Sequence, residues 1–170
     1  MQTANSAFRS VVQPGAFSAI LRIGFVAGTL DITENLIFNH FRGITARMVF
    51  QYIASGLIGM RSFQGGSASV ALGVVLHYLI ALTWTGMFYG ASRRLAILSR
   101  RPVICGLLYG AFVYLFMNLV VLPLSGVPHV RSSMTIASRI SGVLAVLLCI
   151  GLTISLLVRR HSRLTSRPAR

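Results

Sequence analysis

The sequence has no lysine, and its only acidic residues are Asp31 and Glu34. Charged residues make up 11% of the chain, under half of the roughly 25% usual in soluble domains. With 55% hydrophobic residues and a mean hydropathy of +0.76, too much apolar surface would be left in water. A soluble fold of this length is excluded. Cysteine is scarce as well: Cys105 and Cys149 both fall inside apolar runs with no zinc spacing, where thiols pack as small hydrophobes. Catalytic signatures are missing too. There is no Gly-x-Ser-x-Gly elbow, no His-Glu-x-x-His motif and no P-loop. Glu34 or His77 could serve as a general base, but no nucleophile is paired with either. The reading leans away from an enzyme and implies no cofactor.

What the chain does have is arginine: 16 of them, for a net charge of +14. Such an excess suits nucleic acid, where basic patches neutralise phosphates. Here, however, the arginines sit between and beside apolar runs, the pattern of membrane flanks, so no nucleic-acid partner is expected. The runs cover residues 18–38, 68–89, 102–125 and 141–158. At 1.5 Å per residue the last three reach about 27–36 Å, enough for a hydrocarbon core of roughly 30 Å. The first run holds Arg22, Asp31 and Glu34 and follows Arg9, Pro14 and Gly15. That is not signal-peptide order, and it reads as a retained span with Arg22 snorkelling to the interface.

The expected fold is therefore all-α, a polytopic membrane four-helix bundle. Residues 1–17 form a cytoplasmic N-terminal segment, 18–158 the membrane domain and 159–170 a basic cytoplasmic tail. Arg9, Arg93, Arg94, Arg100, Arg101, Arg159, Arg160, Arg163, Arg167 and Arg170 fall on one side of such a bundle. Arg42, Arg47, Arg61, Arg131 and Arg139 fall on the other. The richer side belongs in the cytoplasm, which places both termini there. The tail from Arg159 reads as a disordered segment on anionic lipids, each arginine contributing about 1 kcal/mol. A homo-oligomer or a membrane-protein partner stays open.

Between the first two runs, Ala46, Val49, Phe50, Ile53 and Leu57 recur at helical spacing, with Arg47, Gln51 and Ser55 opposite. A short amphipathic interfacial helix is expected, on the outer surface or tucked against the bundle, broken by Gly65 and Gly66.

The two acids stand at i, i+3 within the first span, on one helical face. A charge at mid-membrane costs at least about 2.5–3.5 kcal/mol, so both should face other helices. Asp31 lies nine residues before His40, and His77 nine after Ala68. Each is then about 13 Å below the outer interface, with Asn118 about 10 Å down. Gly24 and Gly28, Ser69 and Gly73, Gly106 and Gly110 continue the same faces with small residues that let helices approach. Span four is weaker, with Ser138, Gly142, Ala145 and Cys149. Asp31, Glu34, His77 and Asn118 form the candidate cluster, suited to a proton or a cationic group. Arg42, Arg47, Arg61 or Arg139 could instead neutralise the acids, and Asn118 and Tyr114 could act only as hydrogen-bonded glue. His40, His77 and His129 with the acids are raw material for a metal site, but no ligand spacing occurs, and no metal is expected.

The stretches Gly28-Thr-Leu-Asp-Ile-Thr33, Ala54-Ser-Gly-Leu-Ile-Gly59 and Tyr114-Leu-Phe-Met-Asn-Leu-Val-Val-Leu-Pro123 resemble small bacterial inner-membrane proteins of unknown function. The resemblance spans most of residues 18–160 and implies a bacterial inner-membrane location, but no activity. The expected function is accessory or transport-related, with a proton- or cation-binding cluster in the outer half. The competing expectation is a structural or partner-binding subunit whose polar residues only fix helix packing.

Overall fold

A computed structural model describes residues 15–127 and 136–165. Arg9, His129, Arg131, Arg167 and Arg170 lie outside the described residues. Four helices are long and apolar enough to cross a membrane: α1 (Ala16–His40), α3 (Gly66–Arg94), α5 (Pro102–Leu124) and α6 (Ile136–Leu164). Two shorter helices join them, α2 (Ala46–Ile58) between the first two spans and α4 (Ala96–Arg100) between α3 and α5. No strand occurs among the described residues. The protein is an all-α polytopic bundle, and its composition and surface are those of an integral membrane protein. Large apolar side chains such as Phe25, Val75, Leu108 and Leu119 point outward, while Gln51, Ser69, Thr85 and Ser155 are buried. That arrangement suits lipid as the surrounding solvent.

Local sequence sets most of the boundaries. Gly43 and Gly66 adopt positive φ, at 75° and 58°, a conformation open to glycine without steric cost, and so permit the turns after α1 and before α3. Thr45 caps α2 by accepting from the Met48 amide at 3.4 Å. Pro102 occupies the first turn of α5, where a missing N–H is harmless. Pro123 near its other end removes a donor, and the preceding segment Met117–Val121 widens into a π-helical turn. A second π turn, Val146–Leu152, lies in α6.

Glycines set the helix contacts. A Cβ on Gly24 would stand 2.7 Å from Leu82 Cδ2, and one on Gly28 would stand 3.0 Å from Ala81 Cβ, so α1 and α3 meet along this stripe. On α5, a Cβ at Gly110 would come 2.7 Å from Leu147 Cα, and one at Gly151 of α6 would strike the Gly106 carbonyl. Close approach of this kind is how helices gain contact where lipid is as apolar as leucine. Ser155 Oγ adds a hydrogen bond to the Pro102 carbonyl at 2.7 Å.

Two expectations need correction. The segment from Arg159 is helical as far as Thr165, residues 166–170 lying outside the described residues: helix Thr153–Thr165 continues past Arg159, because Val158 and Ile154 are buried beneath and anchor the turn. In α2 the buried residues are Val49, Gln51, Ala54 and Ser55, whereas Leu57 is exposed. Gly73 of α3, lacking a Cβ, admits the Phe50 carbonyl and draws α2 onto the bundle. Away from water, Gln51 and Ser55 turn inward to find acceptors, the carbonyls of Phe63 (3.5 Å) and Tyr52 (2.6 Å).

Candidate functional site

The packed core occupies the end of the bundle that carries Arg93, Arg94 and Arg159. Ala19, Ile23, Ala27, Phe88, Ile154 and Val158 interlock there. Toward the opposite end the spans diverge around a cavity of about 360 Å³. All four spans and α2 contribute to its wall. Trp84, Val113 and Ile150 belong both to the core and to the cavity lining, and so form its floor. Val49, Tyr52, Ile53 and Gly56 of α2, with Ser125 and Val127, cover the other end. Trp84 is held edge-on by Tyr109, Phe112 and Phe116, with ring centroids 5.5–6.2 Å away, and Tyr109 donates to the Trp84 carbonyl at 2.6 Å.

Three of the four candidate residues line this cavity: Asp31 from α1, His77 from α3 and Asn118 from α5. Asn35 and Tyr114 join them. Asp31 and His77 lie within electrostatic reach of each other. The imidazole, however, is anchored elsewhere, its Nε2 lying 2.9 Å from the Gly28 carbonyl one turn before the acid. Thr29 and Tyr78 hydroxyls meet at 3.0 Å on the same seam between α1 and α3. Asn118 donates to the Tyr114 carbonyl at 2.8 Å, at the start of the π turn, and its side chain stays exposed at the cavity edge. Among the described residues Asp31 has neither a hydrogen-bond nor an ion-pair partner.

Glu34 does not join them. Its carboxylate accepts from Ser141 Oγ at 2.6 Å, across to α6. There it borders a separate hollow of about 450 Å³ with Ile140, Leu148 and Cys149. Residues at i and i+3 differ by about 60° in direction around a helix. With α3 against one flank of α1 and α6 against the other, that angle sends the two carboxylates to different neighbours.

The arginines that could have neutralised the acids stay away. Arg42, Arg47, Arg61 and Arg139 are exposed, and the Arg42 guanidinium lies 5.7 Å from the Phe38 ring centroid. Among the described residues no three histidine, cysteine or acidic side chains gather closely enough to hold a metal ion. Cys105 and Cys149 are free thiols.

The aromatic floor and the Ser141 contact were not foreseen in the sequence, which for α2 left open the outer surface or a place against the bundle. Trp84 offered a faint signal, being four and seven residues beyond Ile80 and His77, on the same face. Comparison with family models, with curated proteins and with solved structures returns no match.

Proposed function

We propose that this chain is an accessory or transport-related protein of the bacterial inner membrane that holds a proton or a small organic cation at Asp31. Both termini lie in the cytoplasm, as the arginine distribution supports, and the cavity then occupies the outer half of the bilayer. The observation that carries the reading is an acidic side chain that has no arginine partner among the described residues and lines a partly open cavity. A carboxylate in such surroundings calls for a proton or a cation to neutralise it. His77 on the neighbouring span supplies a second titratable group. Apolar walls and the Trp84 and Tyr114 rings suit the body of an organic ammonium ion, which rings attract through their faces. Passage through the bundle would require the Trp84 floor to move.

The test compares the parent with Asp31→Asn and Glu34→Gln in sealed vesicles, measuring proton or cation flux and stability in detergent. Asp31→Asn should abolish flux in a folded protein, and Glu34→Gln should retain it. A parent without resolvable flux or cation binding, whose Asp31→Asn variant merely changes stability, would sink the proposal. Trp84 is the chain's single tryptophan, so a cavity-bound amine such as tetraethylammonium should shift its emission.

A second reading has its own support. His77, Tyr78 and Glu34 each bond to a neighbouring span, as expected of a structural or partner-binding subunit. Under it, Asp31→Asn leaves partner capture and emission unchanged.

A further inference from the structure

The arginine-rich end of the bundle carries a second place where charge and apolar surface meet, independent of the cavity and of the reading given to it. There α1 and α6 lie side by side and leave a hollow of about 450 Å³. Arg22 and Ser18 border it from α1, and Arg160 and His161 from α6, while Ile23 and Leu157 form its apolar wall. Arg160 also borders an adjoining hollow of about 540 Å³, which it shares with Arg159 and Arg163. No carboxylate lines either hollow. The chain's two acids both lie farther along α1, toward the opposite end.

Three features make this a site instead of a generally basic surface. Arg22 stands six residues into α1, about 9 Å along the axis from its first residue, with Ile23 of the apolar wall next to it in the chain. The helix from Thr153 continues to Thr165, so Arg160 and His161 have fixed directions and do not drift on a tail. The His161 ring rests near that of Tyr89, centroids 6.1 Å apart, which ties this turn to α3. Guanidiniums bind phosphate oxygens through two parallel N–H donors, and the stems of Arg22 and Arg160 extend the apolar wall beneath them.

We propose that the hollow between α1 and α6 binds an anionic phospholipid, its phosphate held by Arg22 and Arg160 and an acyl chain lying along Ile23, Val26 and Leu157. The occupant is a membrane lipid and not free phosphate, because the cationic rim continues into an apolar groove that an inorganic ion would leave bare.

The full chain in a neutral detergent is titrated with phosphatidylglycerol, with phosphatidylcholine of the same chains, or with inorganic phosphate, and its thermal unfolding is followed. Phosphatidylglycerol alone should raise the midpoint. Arg22→Gln with Arg160→Gln should weaken that effect by about thirtyfold in lipid concentration, from two lost phosphate contacts. Arg167→Gln with Arg170→Gln should leave it unchanged. An equal response to phosphatidylcholine or inorganic phosphate, or loss of the response in the second pair instead of the first, overturns the proposal. As a measurement free of folding defects, a phosphatidylglycerol with a photoreactive acyl chain is crosslinked to the unaltered protein. Adducts should map to residues 18–26 and 157–164, and adducts confined elsewhere refute the site.

Discussion

At the scale of single residues, the two carboxylates of α1 should behave oppositely when their charge is removed. Glu34 is hydrogen-bonded to Ser141 across a helix interface, so Glu34→Gln and Ser141→Ala should both destabilise. A double-mutant cycle in detergent should give a coupling of about 0.6 kcal/mol and no more than about 1.7 kcal/mol, the span measured for such bonds between membrane helices. Asp31 has only the His77 ring within electrostatic reach as a compensating group and no hydrogen-bond partner among the described residues, so Asp31→Asn should be neutral or stabilise by up to about 1 kcal/mol, since a partly desolvated carboxylate is costly. Thermal unfolding of the two single variants side by side checks the contrast. Equal losses would mean that Asp31 is as well paired as Glu34. Helical spacing was enough to expect Asp31, His77 and Asn118 at similar levels, and all three line one cavity. It could not separate Glu34 from Asp31, because a 60° difference matters only once the neighbours on each flank are known.

At the scale of elements, α5 and α6 are locked through Gly106, Gly110 and Gly151. Gly110→Val drives a branched side chain into the α6 backbone and should cost about 2–3 kcal/mol. Gly86, whose added Cβ would meet nothing within 4 Å, is the control. Gly86→Ala should be neutral or stabilise by up to about 1 kcal/mol, the difference in helix propensity. Unfolding midpoints in one detergent decide both. The Gly106 and Gly110 repeat was legible as a small-residue stripe, yet its counterpart Gly151 was not: α-helical spacing sets it about 180° from Gly142, and the π turn at Val146–Leu152 begins between the two, both of which face α5. For α2, the sequence pattern located the helix and misassigned its buried face. An amphipathic stripe reports which side avoids water. It does not report which side meets protein when the surroundings are lipid.

At the scale of the whole molecule, core and cavity divide the bundle lengthwise: tight packing at the arginine-rich end, and open space bounded by Trp84 toward α2. The proposed orientation places the α6 end and the Arg93–Arg101 loop in the cytoplasm. A green fluorescent protein fused after Arg170 should therefore fluoresce, since it folds in the cytoplasm, and a cysteine introduced in the α2 region at Arg47 should react with an impermeant thiol reagent from outside. The reverse pattern would invert the bundle and move the cavity to the inner half, leaving the α1–α6 hollow in the outer leaflet.

Composition and run length alone settle that the chain is helical and has four segments able to cross a bilayer, because hydrocarbon tolerates only long, apolar, internally hydrogen-bonded elements. Spacing alone also sets the expectation that the polar groups share a level, since helical rise is constant. Which neighbour each side chain meets was decided in three dimensions. Glycine contacts, π turns and the tilt of one span against another fix azimuth, and azimuth determines that Asp31 faces a cavity, Glu34 a serine, and Arg22 a groove beside Arg160.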